Sequence, residues 1–154
     1  MIYVIGIGPG SRNLMTEEAI KAIEDSEVIV GYKTYINLIT EFIGDKEVVQ
    51  NGMRKEIERC KQAIEIAKTD KTVAVISSGD AGIYGMAGLI LELLTKEEAD
   101  VKVKVVPGVT ASIGAAAGLS STGGHRAHER RGRHLVHVGH PVHLRHREVP
   151  GCPP

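Results

Sequence analysis

The sequence predicts an α/β fold: a three-layer sandwich with a mainly parallel five-stranded sheet, followed by an irregular His/Arg-rich tail. Three observations carry it. Short β-branched runs alternate about five times with segments of helical period, the rhythm of parallel βαβ units. Three of those runs end in glycine-rich loops that carry hydroxyls, where open α/β sheets gather a ligand. After Leu119 both patterns stop: no Lys, Asp or aromatic residue follows, and all seven histidines of the chain lie there.

The elements follow in order. Ile2-Tyr3-Val4-Ile5 with Ile7 reads as a buried first strand, running into Gly6-Ile7-Gly8-Pro9-Gly10-Ser11. Thr16, followed by Glu17 and Glu18, has the form of a cap and acidic first turn for a helix through Ile23. Val28-Ile29-Val30 is the second strand, and Gly31 to Tyr35 turns into a helix ending near Gly44. Glu47-Val48-Val49 is a short third strand. Arg54 to Lys68 is the clearest helix, with Ile57, Cys60, Ile64 and Ala67 on one stripe. Val73 to Ile76 is the central strand, leading through Ser77-Ser78-Gly79-Asp80-Ala81-Gly82 into a helix that reaches about Leu94. Val101 to Val106 alternates as a strand with one wetter face. Pro107-Gly108-Val109-Thr110-Ala111-Ser112 then opens an Ala/Gly-rich helix.

The 154 residues suffice for one domain with a proper core. Charge is balanced overall but divided: 13 Lys+Arg against 17 Asp+Glu through Gly118, and 6 against 2 beyond it. Nothing in that balance calls for nucleic acid or an anionic membrane. Two cysteines, Cys60 and Cys152, make no disulfide framework, which points to a reduced, cytoplasmic setting. No apolar run approaches the ~18 residues of a membrane span, and the N-terminus opens on a strand pattern without a basic leader.

The loops restrict the chemistry. Gly6-Ile7-Gly8-Pro9-Gly10 is G-x-G-P-G, not the G-x-G-x-x-G of a dinucleotide site, and Pro9 removes an N–H donor. That loop is poor for phosphate and suits a small uncharged or cationic group; a tight βα turn without ligand reads equally well. Gly79 and Gly82 allow close approach of the backbone, and Asp80 suits the exposed N–H groups at the mouth of the following helix. The rim holds no histidine or cysteine, so a Cys–His pair or zinc site is not available. Asp80 is its only obvious carboxylate. Such a rim is better at holding a reactive cofactor than at acid–base work.

G-x-G-P-G after the first strand, S-G-D-A-G-x-Y-G-M-A after the fourth and P-G-V-T-A-S after the fifth together resemble the tetrapyrrole methylases. Val30 to Tyr35, Asn51-Gly52-Met53-Arg54 with Glu58-Arg59-Cys60, and Gly79 to Ala87 are similar to the branch that methylates carbon 17 of precorrin-3B or cobalt-factor III. The resemblance covers Met1 to about Gly118. It implies an S-adenosylmethionine (SAM)-binding N-terminal methylase domain over 1–118. It implies methyl transfer to a tetrapyrrole with ring contraction in cobalamin synthesis, and a homodimeric full-length protein. By position, Pro9 borders the cofactor cleft, Gly79, Asp80 and Ile83 match residues that hold SAM, and Thr110 and Ala111 match its contacts from the third loop. Arg12, Tyr32 and Lys33 are candidates for substrate carboxylates. No residue is assigned to catalysis, and no metal site is expected.

Residues 119–154 stand where the family carries a second domain, and they are too few to rebuild it. Their shift from Lys to Arg and from aliphatic to His-rich reads as a changed reading frame or a chimaeric end, poorly structured from Ser120. Two other functions follow from them. Histidines at 125, 128, 134, 137, 140, 143 and 146, in steps of three or six, could make the chain a His-rich metal-binding module on an α/β scaffold. Alternatively the chain is an inactive methylase fragment. Nucleic-acid binding by the tail arginines lacks any aromatic residue for stacking.

Overall fold

Five short runs pair side by side into one sheet, parallel at every junction, in the order β3-β2-β4-β1-β5. They are β1 (Ile2–Gly6), β2 (Val28–Tyr32), β3 (Glu47–Asn51), β4 (Val73–Ser77) and β5 (Val103–Val106). The computed structural model describes residues 1–123 apart from Tyr84, with 118–123 as helix backbone. Residues Met1–Thr122 form one compact unit. β4 is central and buried along its whole length; Val75 is in register with Val4 of β1 and Val30 of β2. Both faces of the sheet are covered, which is why the inner strands carry apolar side chains at nearly every position.

The two faces hold separate cores. Ile2, Val4, Val28, Val30, Val73 and Val75 pack against Cys60, Ala63 and Ile64 of α4 (Glu56–Ala67) and Ile90, Leu93 and Leu94 of α5 (Ala87–Lys96). Ile5, Ile29, Ala74 and Ile76 face Ala19, Ala22 and Ile23 of α1 (Glu17–Glu24), Ile36 of α2 (Lys33–Asn37) and Phe42 of α3 (Thr40–Ile43). The expected three-layer sandwich is therefore present. Adjacent strands β1 and β4 send their following helices to opposite faces, so the crevice between their carboxyl ends is a topological switch point.

Local chemistry explains the boundaries. Thr16 caps α1 as expected, its Oγ1 accepting the Ala19 N–H at 3.1 Å. The helix expected from Tyr35 to Gly44 is instead two. Leu38 and Ile39 bond back three residues, to Tyr35 and Ile36 at 3.1 Å each. Ile39 leaves helical angles (φ −119°, ψ 17°) and is fully buried. The helix expected from Arg54 starts two residues late because Arg54 is left-handed, with φ 62°. β5 begins at Val103, not Val101, since the Val101 N–H is turned onto the Ala99 carbonyl at 3.0 Å. α6 (Ala111–Gly123) runs past the expected boundary at Gly118. The rest of the tail, with every histidine, lies outside the described residues.

Ile57 departs from its expected stripe and is 58% exposed. At about 100° per residue it sits about 90° round from the centre of the arc formed by Arg59, Cys60, Ala63, Ile64 and Ala67, which are all buried. Ile64→Ala should therefore cost about 2–5 kcal/mol, and Ile57→Ala within about 0.5 kcal/mol of nothing. Urea unfolding of both variants measures the difference.

Candidate functional site

Three loops leave the carboxyl ends of β1, β4 and β5 and meet backbone to backbone. A Cβ on Gly6, the last residue of β1, would stand 2.6 Å from the Gly79 carbonyl oxygen and 2.9 Å from the amide nitrogens of Ala81 and Gly108. One on Gly108 would overlap the Gly79 carbonyl in turn. Gly8 and Gly79 exchange hydrogen bonds in both directions, at 3.0 and 2.8 Å. Each sits in the left-handed region, φ +65° and +63°, which side-chain-bearing residues adopt at a cost. The sequence therefore places glycine where the three loops touch.

Asp80 ties the arrangement together. Its Oδ1 accepts the N–H groups of Gly82 and Ile83, at 2.8 and 3.0 Å, and its Oδ2 accepts the Gly108 N–H at 3.0 Å. One carboxylate thus organises its own turn and clasps the loop after β5. The Gly108 N–H first, then that of Gly82, hold its carboxyl below the ordinary value of 3.8. Asp80 does not cap α5, which begins only at Ala87 with Met86 at the capping position. The turn closes on itself, the Ala87 N–H donating to the Ala81 carbonyl at 3.2 Å.

The third loop supplies Thr110, whose Oγ1 accepts the Ile113 N–H at 3.4 Å and lies 3.1 Å from the Ser112 Oγ, starting α6. The amide of Ala111 lies 3.3 Å from the point where a Gly79 Cβ would stand, and the Pro9 ring faces Gly114. Pro9, Gly79, Asp80, Thr110 and Ala111 are thereby gathered at one rim. Ile83 lies on the outside of the Asp80 turn, 58% exposed.

The other candidates stand apart from this junction. Arg12 pairs with Glu41 at 3.1 Å, its guanidinium 5.3 Å from the centre of the Phe42 ring. Tyr32 ends β2, on the far side of β4, and meets Tyr35 edge to face at 5.2 Å. Lys33 opens α2, exposed and without an ion pair among the described residues. Gly6, Gly8 and Gly108 were not singled out by sequence reasoning, although each sits in a quoted motif. Their signal was a glycine ending or following a strand. A wider depression of about 780 Å³ lies elsewhere, along α4 beside Val49, Ile57 and Ile66, and no candidate site residue lines it. Among the described residues no group of three or more His, Cys, Asp or Glu could hold a metal ion. No helix among them is long and apolar enough to cross a membrane.

Two outcomes follow from this geometry. Gly108→Ala should destabilise the unit by about 1–3 kcal/mol, because backbone must move to admit the methyl group; denaturant unfolding reads it. Asp80 has a lowered folded value, so its contribution is complete above 3.8 and is lost as pH falls through that lower value. In acid titrations of stability, Asp80→Asn should abolish this part of the slope and leave the remainder.

A family model described as tetrapyrrole (corrin/porphyrin) methylases matches residues 1–130. A probable cobalt-factor III C(17)-methyltransferase of Salmonella typhimurium is 59% identical over 121 residues, covering 79% of this chain and 50% of that protein. The crystal structure of the methyltransferase CobJ superimposes with a TM-score of 0.70 at 34% identity, over 76% of this chain and 49% of its own. A uroporphyrin-III C-methyltransferase from Thermus thermophilus, complexed with S-adenyl homocysteine, gives a TM-score of 0.60 at 25% identity, over 75% and 51%. The chain spans about half the length of each.

Proposed function

The chain belongs to the tetrapyrrole (corrin/porphyrin) methylases, and we propose that its three-loop rim is one side of an S-adenosylmethionine site. In a protein of the relatives' length, that site would serve methylation of carbon 17 of cobalt-factor III or precorrin-3B, with ring contraction, in the cytoplasm. The observation that carries this is the Asp80-clasped junction of Gly6, Gly79 and Gly108 at the switch point between β1 and β4. The 59% identity to a probable cobalt-factor III C(17)-methyltransferase supports the cobalt-containing substrate.

The residues present suit the cofactor. The rim's charge is one carboxylate, Pro9 subtracts a donor, and Gly79 leaves open the space that a Cβ would fill beside Thr110 and Ala111. This favours a sulfonium over a phosphate. When bound, S-adenosylmethionine supplies an electrophilic methyl group. The chain's part is to hold and aim: Gly79, Thr110 and Ala111 present close backbone, Pro9 borders the cleft, and exposed Ile83 offers apolar cover. Orientation of this kind can be worth roughly 7–11 kcal/mol of a barrier. Residues 1–118 are the cofactor-binding portion on this reading.

Calorimetric titration of the whole chain with S-adenosylhomocysteine, with and without EDTA, tests the proposal. Binding that EDTA leaves unchanged and Asp80→Ala removes is the expected result. A chain folded by circular dichroism that binds nothing would overturn it and leave an inactive methylase fragment. Binding lost in EDTA would favour the His-rich metal module.

A further inference from the structure

Among the described residues one charged side chain is buried, that of Arg59, at 4% exposure. It stands in the first turn of α4 and has no carboxylate within ion-pair distance among the described residues. Glu58 beside it is turned to Lys55 at 2.8 Å. Burial pushes the neighbouring Cys60 thiol up to about 12, so Cys60 supplies no counter-charge. The partners of Arg59 are neutral and come from two loops. Nε donates to the Asn51 Oδ1 at 2.9 Å and Nη2 to the Gly52 carbonyl at 3.1 Å, where β3 ends, while Nη1 lies 4.0 Å from the Met86 sulfur. Asn51 is fixed further by its Nδ2, which donates to the Gln62 Oε1 at 3.3 Å.

A buried charge without a counter-ion is costly, and a hydrophobic side chain would fill the space more cheaply. What a guanidinium adds is a planar fork whose separate nitrogens meet acceptors in fixed, spread directions, where the three donors of an ammonium all radiate from one atom. Met86 is where the Asp80 turn ends and α5 begins. That turn is held in front by Asp80 and touched behind by Arg59.

We propose that Arg59 is a positioning residue: by joining Asn51 and Gly52 to Met86 it fixes the back of the Asp80–Met86 loop. Its effect on cofactor affinity rests on the function proposed above; its effect on the loop does not.

Amide hydrogen exchange of the whole chain without ligand separates the two. The protected amides of Gly82, Ile83 and Ala87 should exchange about tenfold faster in Arg59→Lys, while those of β1 and β4 stay near wild type. Lysine keeps the charge and loses the fork, so it should not rescue. Asn51→Ala, at a half-buried position, removes the acceptor of the Arg59 Nε and the donor to Gln62 while leaving the guanidinium in place. It should accelerate the same amides, and it carries the test if Arg59→Lys does not fold. Unchanged loop exchange in the folded variants, or equal acceleration throughout the sheet, would overturn the proposal. In calorimetry the Kd for S-adenosylhomocysteine should rise about tenfold in Arg59→Lys. A wild-type chain that binds none fails the cofactor reading and leaves the exchange result to decide on Arg59.

Discussion

The Asp80 carboxylate is the constraint on which the rim depends. β4 and β5 are not neighbours, since β1 lies between them, so their loops need a bond that reaches over the end of β1. The Oδ2 contact with the Gly108 N–H supplies it. That reach is possible only because β1 ends in Gly6, over which the Gly79 and Gly108 backbones pass. A side chain there would separate the loops before any carboxylate could join them. Charge and steric permission are thus one device, and neither works without the other.

The same device bears on α6. This helix starts directly from the clasped loop, through Thr110, and of residues 111–117 all but Gly114 are exposed. Ile113 is 62% exposed. Two close approaches mark the helix's start: the Pro9 ring against Gly114, and the amide of Ala111 beside Gly79. Packing of side chains holds α4 and α5 in place. Backbone proximity at the rim joins the start of α6 to the loops after β1 and β4.

How much of this was legible in the sequence depended on the range of the interaction concerned. The inner strands β1, β2 and β4 were, because burial on both faces leaves continuous β-branched runs, the edge strands showed as short Val-bearing runs, and the Thr16 cap needs only the next few residues. The break at Leu38–Ile39 was not, since nothing local forbids helix there; Ile39 is drawn inward by the core beside Phe42 and Ala74. Ile57 was misplaced because spacing from Cys60 gives a face but not the width of the buried arc. At the rim, the sequence disclosed which loops matter but not that Asp80 serves the loop after β5, a bond spanning 28 positions. Arg59 was quoted in a motif but not read as buried, although it stands at the edge of the apolar arc, one turn before Ala63.

Asp80 and Arg59 hold the same loop by different physics. Asp80 lies at the rim, partly open to water, and binds backbone dipoles with a titratable charge. Salt screens such a bond and acid removes it. Arg59 is enclosed and meets neutral acceptors where β3 ends. Where both act, salt and acid reach the Asp80 end of the loop, and the Arg59 end is shielded from solvent. The bonds open to solvent therefore stand at the rim, and the enclosed ones beside the core beneath it.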